Sequence, residues 1–135
     1  MSDHRLPRVL VVDDEEPVRG LLCDLLAAWG CRAVEAANGA QALTLFDEGD
    51  WDLVLTDYTM PGRTGLELIR DVRDRDATIG VIMLTASVID LERESERLEF
   101  TLLQKPLQLD GLKTAVSQGL LRRSRGTPAA LPFRP

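Results

Sequence analysis

Arg8-Val-Leu-Val-Val-Asp13-Asp14-Glu15-Glu16-Pro17 is the stretch on which the reading of the fold turns. Its apolar run is continuous rather than alternating, so a strand built from it must be covered on both faces, as strands of a parallel sheet are. Pro17 suits the first turn of a helix, where its missing N–H costs nothing. Val18, Leu21, Leu22, Leu25, Leu26 and Trp29 follow at the spacing of one helical face, and Gly30 is a fitting stop. A strand that runs directly into a packed helix calls for a parallel partner strand further along.

The same unit recurs outward from this stretch. Cys31–Glu35 reads as a second strand, followed by Asn38 and Gln41 as a capping-box pair for a helix to about Glu48. Trp51-Asp-Leu-Val-Leu-Thr-Asp57 is the third strand, and the loop Thr59–Gly65 leads to a second capping box, Thr64 with Glu67, opening a helix with Leu66, Ile69 and Val72. Ile79–Leu84 is the fourth strand and ends at Thr85. Residues 88–98 hold Val88, Ile89, Leu91 and Leu98 among charges and predict a short, mostly solvated, mobile helix. Phe100–Gln104 is the fifth strand, ending in Lys105-Pro106, and Leu109, Leu112, Val116 and Leu120 mark the last helix. Residues 1–7 read as a flexible N-terminus, 8–121 as one domain, and 122–135 as a disordered tail with Pro and Arg but no period. The prediction is α/β: a flavodoxin-like, doubly wound five-stranded parallel sheet in order 2-1-3-4-5 with five helices.

Composition narrows the function. Twenty-two acidic residues against 16 Lys plus Arg give a net charge of -6, which argues against binding of a nucleic-acid backbone. No apolar run is long enough for a membrane span or a signal peptide, which makes the cytoplasm the expected compartment. Cys23 and Cys31 have no CxxC or Cys/His context and read as small hydrophobes. With His4 the only histidine, a Ser-His-Asp or Cys-His machine and a His-rich metal site are disfavoured, and any phosphohistidine must come from another molecule or domain.

In such sheets ligands bind beyond the carboxyl ends of the strands. Those ends carry Asp13-Asp14, Asp57, Thr85 and Lys105. Singly, each has a plain explanation as an acidic helix cap, a turn residue, a strand-end hydroxyl or a solvated charge. Together on one rim they form a site. Three carboxylates at ~4 Å repel by about 4 kcal/mol per pair at an effective dielectric near 20, so a cation is expected. All-oxygen ligands with room for water and phosphate suit magnesium, with manganese as the alternative. Asp57 could then act as a nucleophile on phosphorus, with Lys105 and Thr85 contacting the transferred oxygens.

The pattern resembles the receiver domain of two-component response regulators, over about residues 8–121. The matching residues are Asp13-Asp14 after the first strand, Asp57 in Asp57-Tyr-Thr-Met-Pro61-Gly62-x-x-Gly65, Thr85-Ala86 after the fourth strand and Lys105-Pro106 after the fifth. The resemblance implies that Asp57 is the phosphorylation site and that Asp13, Asp14, Asp57 and the Thr59 backbone carbonyl surround magnesium. It further implies that Thr85 and Lys105 contact the phosphoryl group, that the Lys105-Pro106 peptide is cis, and that the donor is a histidine kinase or a histidine phosphotransfer protein. Such a module is a phosphoacceptor with self-catalysed transfer and dephosphorylation rather than an enzyme acting on a free substrate. A downstream protein would bind the face formed by residues 88–120, and a phosphorylation-linked dimer is an option.

Two departures stand out. Leu102 occupies the place, three residues before Lys105, where these domains usually carry a Tyr or Phe that swings with the Thr85 position. Leu98-Glu99 replaces the usual Gly-Ala before the fifth strand. Repacking of Leu102 and the charged helix is the expected substitute for an aromatic flip. The chain would act as a stand-alone regulator or as a receiver excised from a larger hybrid kinase or regulator. A haloacid-dehalogenase-like phosphatase fits less well, because Asp13-Asp-Glu-Glu-Pro17 is not the D-x-D-x-T such an enzyme needs.

Overall fold

The apolar run that opens the chain is buried on both faces. The computed structural model describes residues 5–86 and 90–124. In chain order these form β1 (Arg8–Val12), α1 (Glu16–Ala28), β2 (Arg32–Ala36), α2 (Gly39–Glu48), β3 (Leu53–Asp57), α3 (Gly65–Arg75), β4 (Gly80–Thr85), α4 (Glu92–Leu98), β5 (Thr101–Gln104) and α5 (Leu109–Ser124). All pairings are parallel and the sheet order is β2-β1-β3-β4-β5, as expected.

Alternation along each strand divides the core into two layers. Leu10, Val12, Val54, Val81 and Met83 meet Ala42 and Phe46 of α2 and Leu68, Ile69 and Val72 of α3 on one face. Val9, Val11, Leu53, Leu55, Ile82 and Leu84 meet Leu22 and Leu26 of α1 and Leu112, Val116 and Leu120 of α5 on the other. The runs are continuous because both sets must be apolar.

Several expected strands start too early in the sequence reading. Cys31, Trp51, Ile79 and Phe100 are buried but precede the ladders. Trp51 is an anchor instead: its indole N–H donates to the Leu45 carbonyl at 3.1 Å and the Arg8 guanidinium lies 4.4 Å from its ring centre. Hydrophobicity reports burial, and these residues are buried just ahead of the strands they introduce. The Thr64–Glu67 capping box is complete, whereas Asn38 caps through Gln41 N–H but the Gln41 side chain accepts from Ala37 N–H, one residue before the cap. Gly30 takes φ 87 just past α1.

The charged helix α4 begins only at Glu92 and buries no residue of its own; Leu91, just before it, is buried. The expectations at Val88 and Ile89 lie outside the described residues. Helix α5 runs to Ser124, so its end takes in residues 122–124, which the sequence reading assigned to the tail; residues 125–135 lie outside the described residues.

Helix α5 crosses β4 backbone against backbone. A Cβ at Gly80 would sit 2.4 Å from the Gly119 carbonyl oxygen, whereas one at Gly119 would meet the Leu53 Cδ1 atom at 2.5 Å. Backbone cannot give way and a side-chain tip can. Gly80→Ala should therefore lower stability by about 1–3 kcal/mol, the usual scale of overpacking. Gly119→Ala should cost clearly less, since Leu53 can rotate and alanine favours the helix. Urea unfolding monitored by circular dichroism ranks the two, and an equal loss would contradict the close approach.

Candidate functional site

The carboxyl ends of β1, β3, β4 and β5 bring together the residues expected there. Asp13 follows Val11 by two positions, Asp57 follows Leu55 by two, and Lys105 follows Leu103 by two, so all three continue the strand positions that face α1 and α5. Loop backbone bonds fix their relative depth: Asp13 N–H donates to the Ala36 carbonyl (3.1 Å), Tyr58 N–H to Leu84 (2.8 Å) and Lys105 N–H to Thr85 (2.8 Å).

Carboxylate oxygens of Asp13, Asp14 and Asp57 lie within 4.8 Å of one another. Asp13 is 1% exposed, Asp57 8% and Thr85 2%, while Asp14 and Thr59 face solvent. Lys105 Nζ forms an ion pair with Asp57 Oδ1 at 2.9 Å. Burial disfavours the Lys105 charge, but the hydrogen bond and charge of Asp57, with Asp13 behind it, outweigh that and raise its pKa. The lysine therefore stays protonated throughout the neutral range. Lys105-Pro106 is cis.

Asp13 is the most constrained of the carboxylates. Its Oδ1 accepts the Glu15 N–H at 2.9 Å, while its buried Oδ2 has no hydrogen-bond donor. Burial holds its carboxyl above the usual carboxylate range; the Glu15 N–H opposes this, and the Asp57 charge adds to the rise. A buried acceptor without a donor is costly. An oxygen-seeking divalent cation at the three carboxylates would supply the missing partner, and magnesium fits this donor set.

Two features of the site have physical causes that the sequence does not show. Gly65 N–H donates to the Tyr58 carbonyl, and a Cβ at Gly65 would lie 2.3 Å from the Asp57 carbonyl oxygen. The spacing of Gly65 from Asp57 was part of the motif, but its steric cause lies in the loop folding back on β3. Arg19 of α1 donates from Nη1 to the Asp13 carbonyl at 2.8 Å and from Nε to Glu35 Oε1 at 2.7 Å. In the sequence it is simply a polar residue beside the apolar stripe of α1.

Residues 9–117 match the family model "Response regulator receiver domain". The chain belongs to that family. As a receiver domain it is a signalling phosphoacceptor module of the two-component, phosphorelay kind. It is 35% identical over 119 residues to sporulation initiation phosphotransferase F of Bacillus subtilis, covering 87% of this chain and 96% of that protein. It is also 35% identical over 120 residues to the regulatory protein AtoC of Escherichia coli, covering 87% of this chain but 26% of that one. The chain thus spans nearly all of the first relative and about a quarter of the second. The response regulator TrrA of Thermotoga maritima, solved in complex with Mg(2+)-BeF, superposes with a TM-score of 0.77 at 35% identity, over 84% of this chain and 98% of that one. Receiver domains bind magnesium at an acidic pocket, and this chain has the acidic cluster. Among the described residues no helix is long and apolar enough to cross a membrane.

Because the Asp13 pKa is raised in the fold, the metal-free protein binds that proton more tightly than the unfolded chain. The resulting stabilisation is present at low pH and is lost as pH rises through the folded value. Asp13→Asn should therefore raise the metal-free unfolding midpoint at pH 7. Thermal melts with a chelator, run from pH 4 to 8, should show a flatter pH profile for the variant. A variant less stable at pH 7 would contradict the strained carboxylate.

Proposed function

We propose that this receiver accepts a phosphoryl group on Asp57 from the phosphohistidine of a histidine kinase or histidine phosphotransfer protein, in the cytoplasm. The observation that carries the reading is the convergence of three carboxylates around a buried Asp13 oxygen without a donor, with Lys105 already paired to the acceptor. Asp13, Asp14, Asp57 and the Thr59 backbone carbonyl hold magnesium or manganese. When bound, the ion offsets the charge that the carboxylates and the incoming phosphoryl oxygens bring together.

An Asp57 carboxylate oxygen attacks phosphorus in line with the P–N bond of the donor. The O–P bond forms as the P–N bond breaks, and the electron pair leaves on the donor imidazole. Lys105 moves from Asp57 Oδ1 to a phosphoryl oxygen, and the Thr85 hydroxyl donates to another. The product is an aspartyl phosphate, reversed when water attacks phosphorus. No free substrate is turned over.

The signal leaves through β4 and β5. Leu102 pairs with Met83 in the ladder and is half-buried against the core layer that also holds Leu91 and, at its edge, Leu98. Repacking of Leu102 when Thr85 moves would shift α4, which buries no side chain of its own. A downstream protein or a second phosphorylated copy then reads the face made by α4, β5 and α5.

Incubation with magnesium and acetyl phosphate, followed by intact mass spectrometry, should show one added phosphoryl group in the wild type and none in Asp57→Ala. The same gain in both would overturn Asp57 as the acceptor. With beryllofluoride, amide NMR shifts should reach residues 90–105; shifts confined to the rim would refute the relay through Leu102.

A further inference from the structure

The acidic cluster must keep its shape without a metal, although its charges push it apart. Few contacts hold the turn between β1 and α1 inward. Asp13 N–H donates to Ala36 and Glu15 N–H to Asp13 Oδ1. The Asp13 carbonyl is held by neither. It accepts from Arg19 Nη1 at 2.8 Å, and Arg19 is itself fixed by Glu35 Oε1 at 2.7 Å. Arg19 is only 13% exposed although it lies on a helix facing the acidic rim; Glu35 is 49% exposed. Glu35 sits on β2 opposite Val11 of β1, so the guanidinium spans from one strand over the end of its neighbour.

We propose that Arg19 is a positioning residue for the metal site. It clamps the Asp13 backbone so that the Asp13 and Asp14 carboxylates stand ready for magnesium, with Glu35 fixing the clamp. The inference rests on the metal-site reading above. Partners that orient metal ligands generally carry a large share of metal affinity. Geometry and charge pull in opposite directions here, which makes the inference testable. As a mere cation near the cluster, Arg19 would repel magnesium, and its removal would tighten binding; as a clamp, its removal loosens binding.

The test is a Mg2+ titration followed by amide NMR on the full chain, for wild type, Arg19→Met, Arg19→Lys and Glu35→Gln, with circular dichroism confirming the fold. Arg19→Met should weaken magnesium binding by about 10–100-fold, the range for loss of a ligand-orienting partner. Arg19→Lys, which keeps the charge but lacks the planar fork, should lie between it and wild type. Glu35→Gln should weaken binding severalfold; if Arg19→Met fails to fold, the charge-conserving Arg19→Lys keeps the test usable, because charge alone predicts no loss there. The first and last substitutions change local charge in opposite senses, so weakening in both is the mark of a clamp. Unchanged or tighter binding in Arg19→Met, or unchanged binding in both Glu35→Gln and Arg19→Lys, overturns the inference alone. A wild type with no magnesium-dependent shifts overturns the metal site itself and the clamp with it.

Discussion

Three carboxylates within 4.8 Å of one another, one of them nearly inaccessible, repel at every pH where they are ionised. Much of this fold can be understood as what holds that arrangement in place. The strands set the carboxylates side by side, because β1 and β3 pair in register and each ends at the same rim. Backbone bonds from Asp13, Tyr58 and Lys105 fix the loops to the neighbouring strand end. Lys105 offers one fixed positive charge to Asp57, and the Arg19–Glu35 pair holds the turn that carries Asp13 and Asp14. The remaining imbalance, centred on Asp13 Oδ2, is what gives the site its demand for a cation.

The opposite end of the sheet is fastened differently. Arg73 of α3 donates to the carbonyls of Leu98, Glu99, Asp76 and Ile79, which ties the ends of α3 and α4 to the starts of β4 and β5. Glu99 takes a left-handed backbone at φ 59, a conformation that costs a non-glycine residue about 1–2 kcal/mol. Its carbonyl bond to Arg73 and its carboxylate pair with Arg122 at 2.5 Å offset that cost. The Leu98-Glu99 departure from the family pattern is thus absorbed by two arginines. Helix α4 is anchored at its C-terminus by the Arg73 side chain gripping its backbone carbonyls, while its own residues bury little.

The rim residues were legible in the sequence because each follows an apolar run, and in a parallel sheet all such positions share one rim. Asp13, Asp14, Asp57, Thr85 and Lys105 needed no contact information beyond that. Strand starts were less legible: Trp51 and Phe100 are as apolar as strand residues, and only the ladder distinguishes an anchor from a paired residue. Arg19 and Arg73 left no trace because they grip backbone carbonyls, which every residue possesses; Gly65 stood in the motif, but the close backbone approach that requires it did not show.

By itself the sequence determined the order of strands and helices, the two-sided burial of the sheet and the identity of the rim carboxylates, since periodicity and strand-end position are local properties of the chain. Tertiary structure alone decided that Asp13 loses solvent while Asp14 keeps it, that one Asp13 oxygen has no donor, and that Arg19 reaches over β1 to Glu35. Those outcomes depend on distances between segments far apart in the chain, where burial and partner geometry rather than residue type set the energy of a charge.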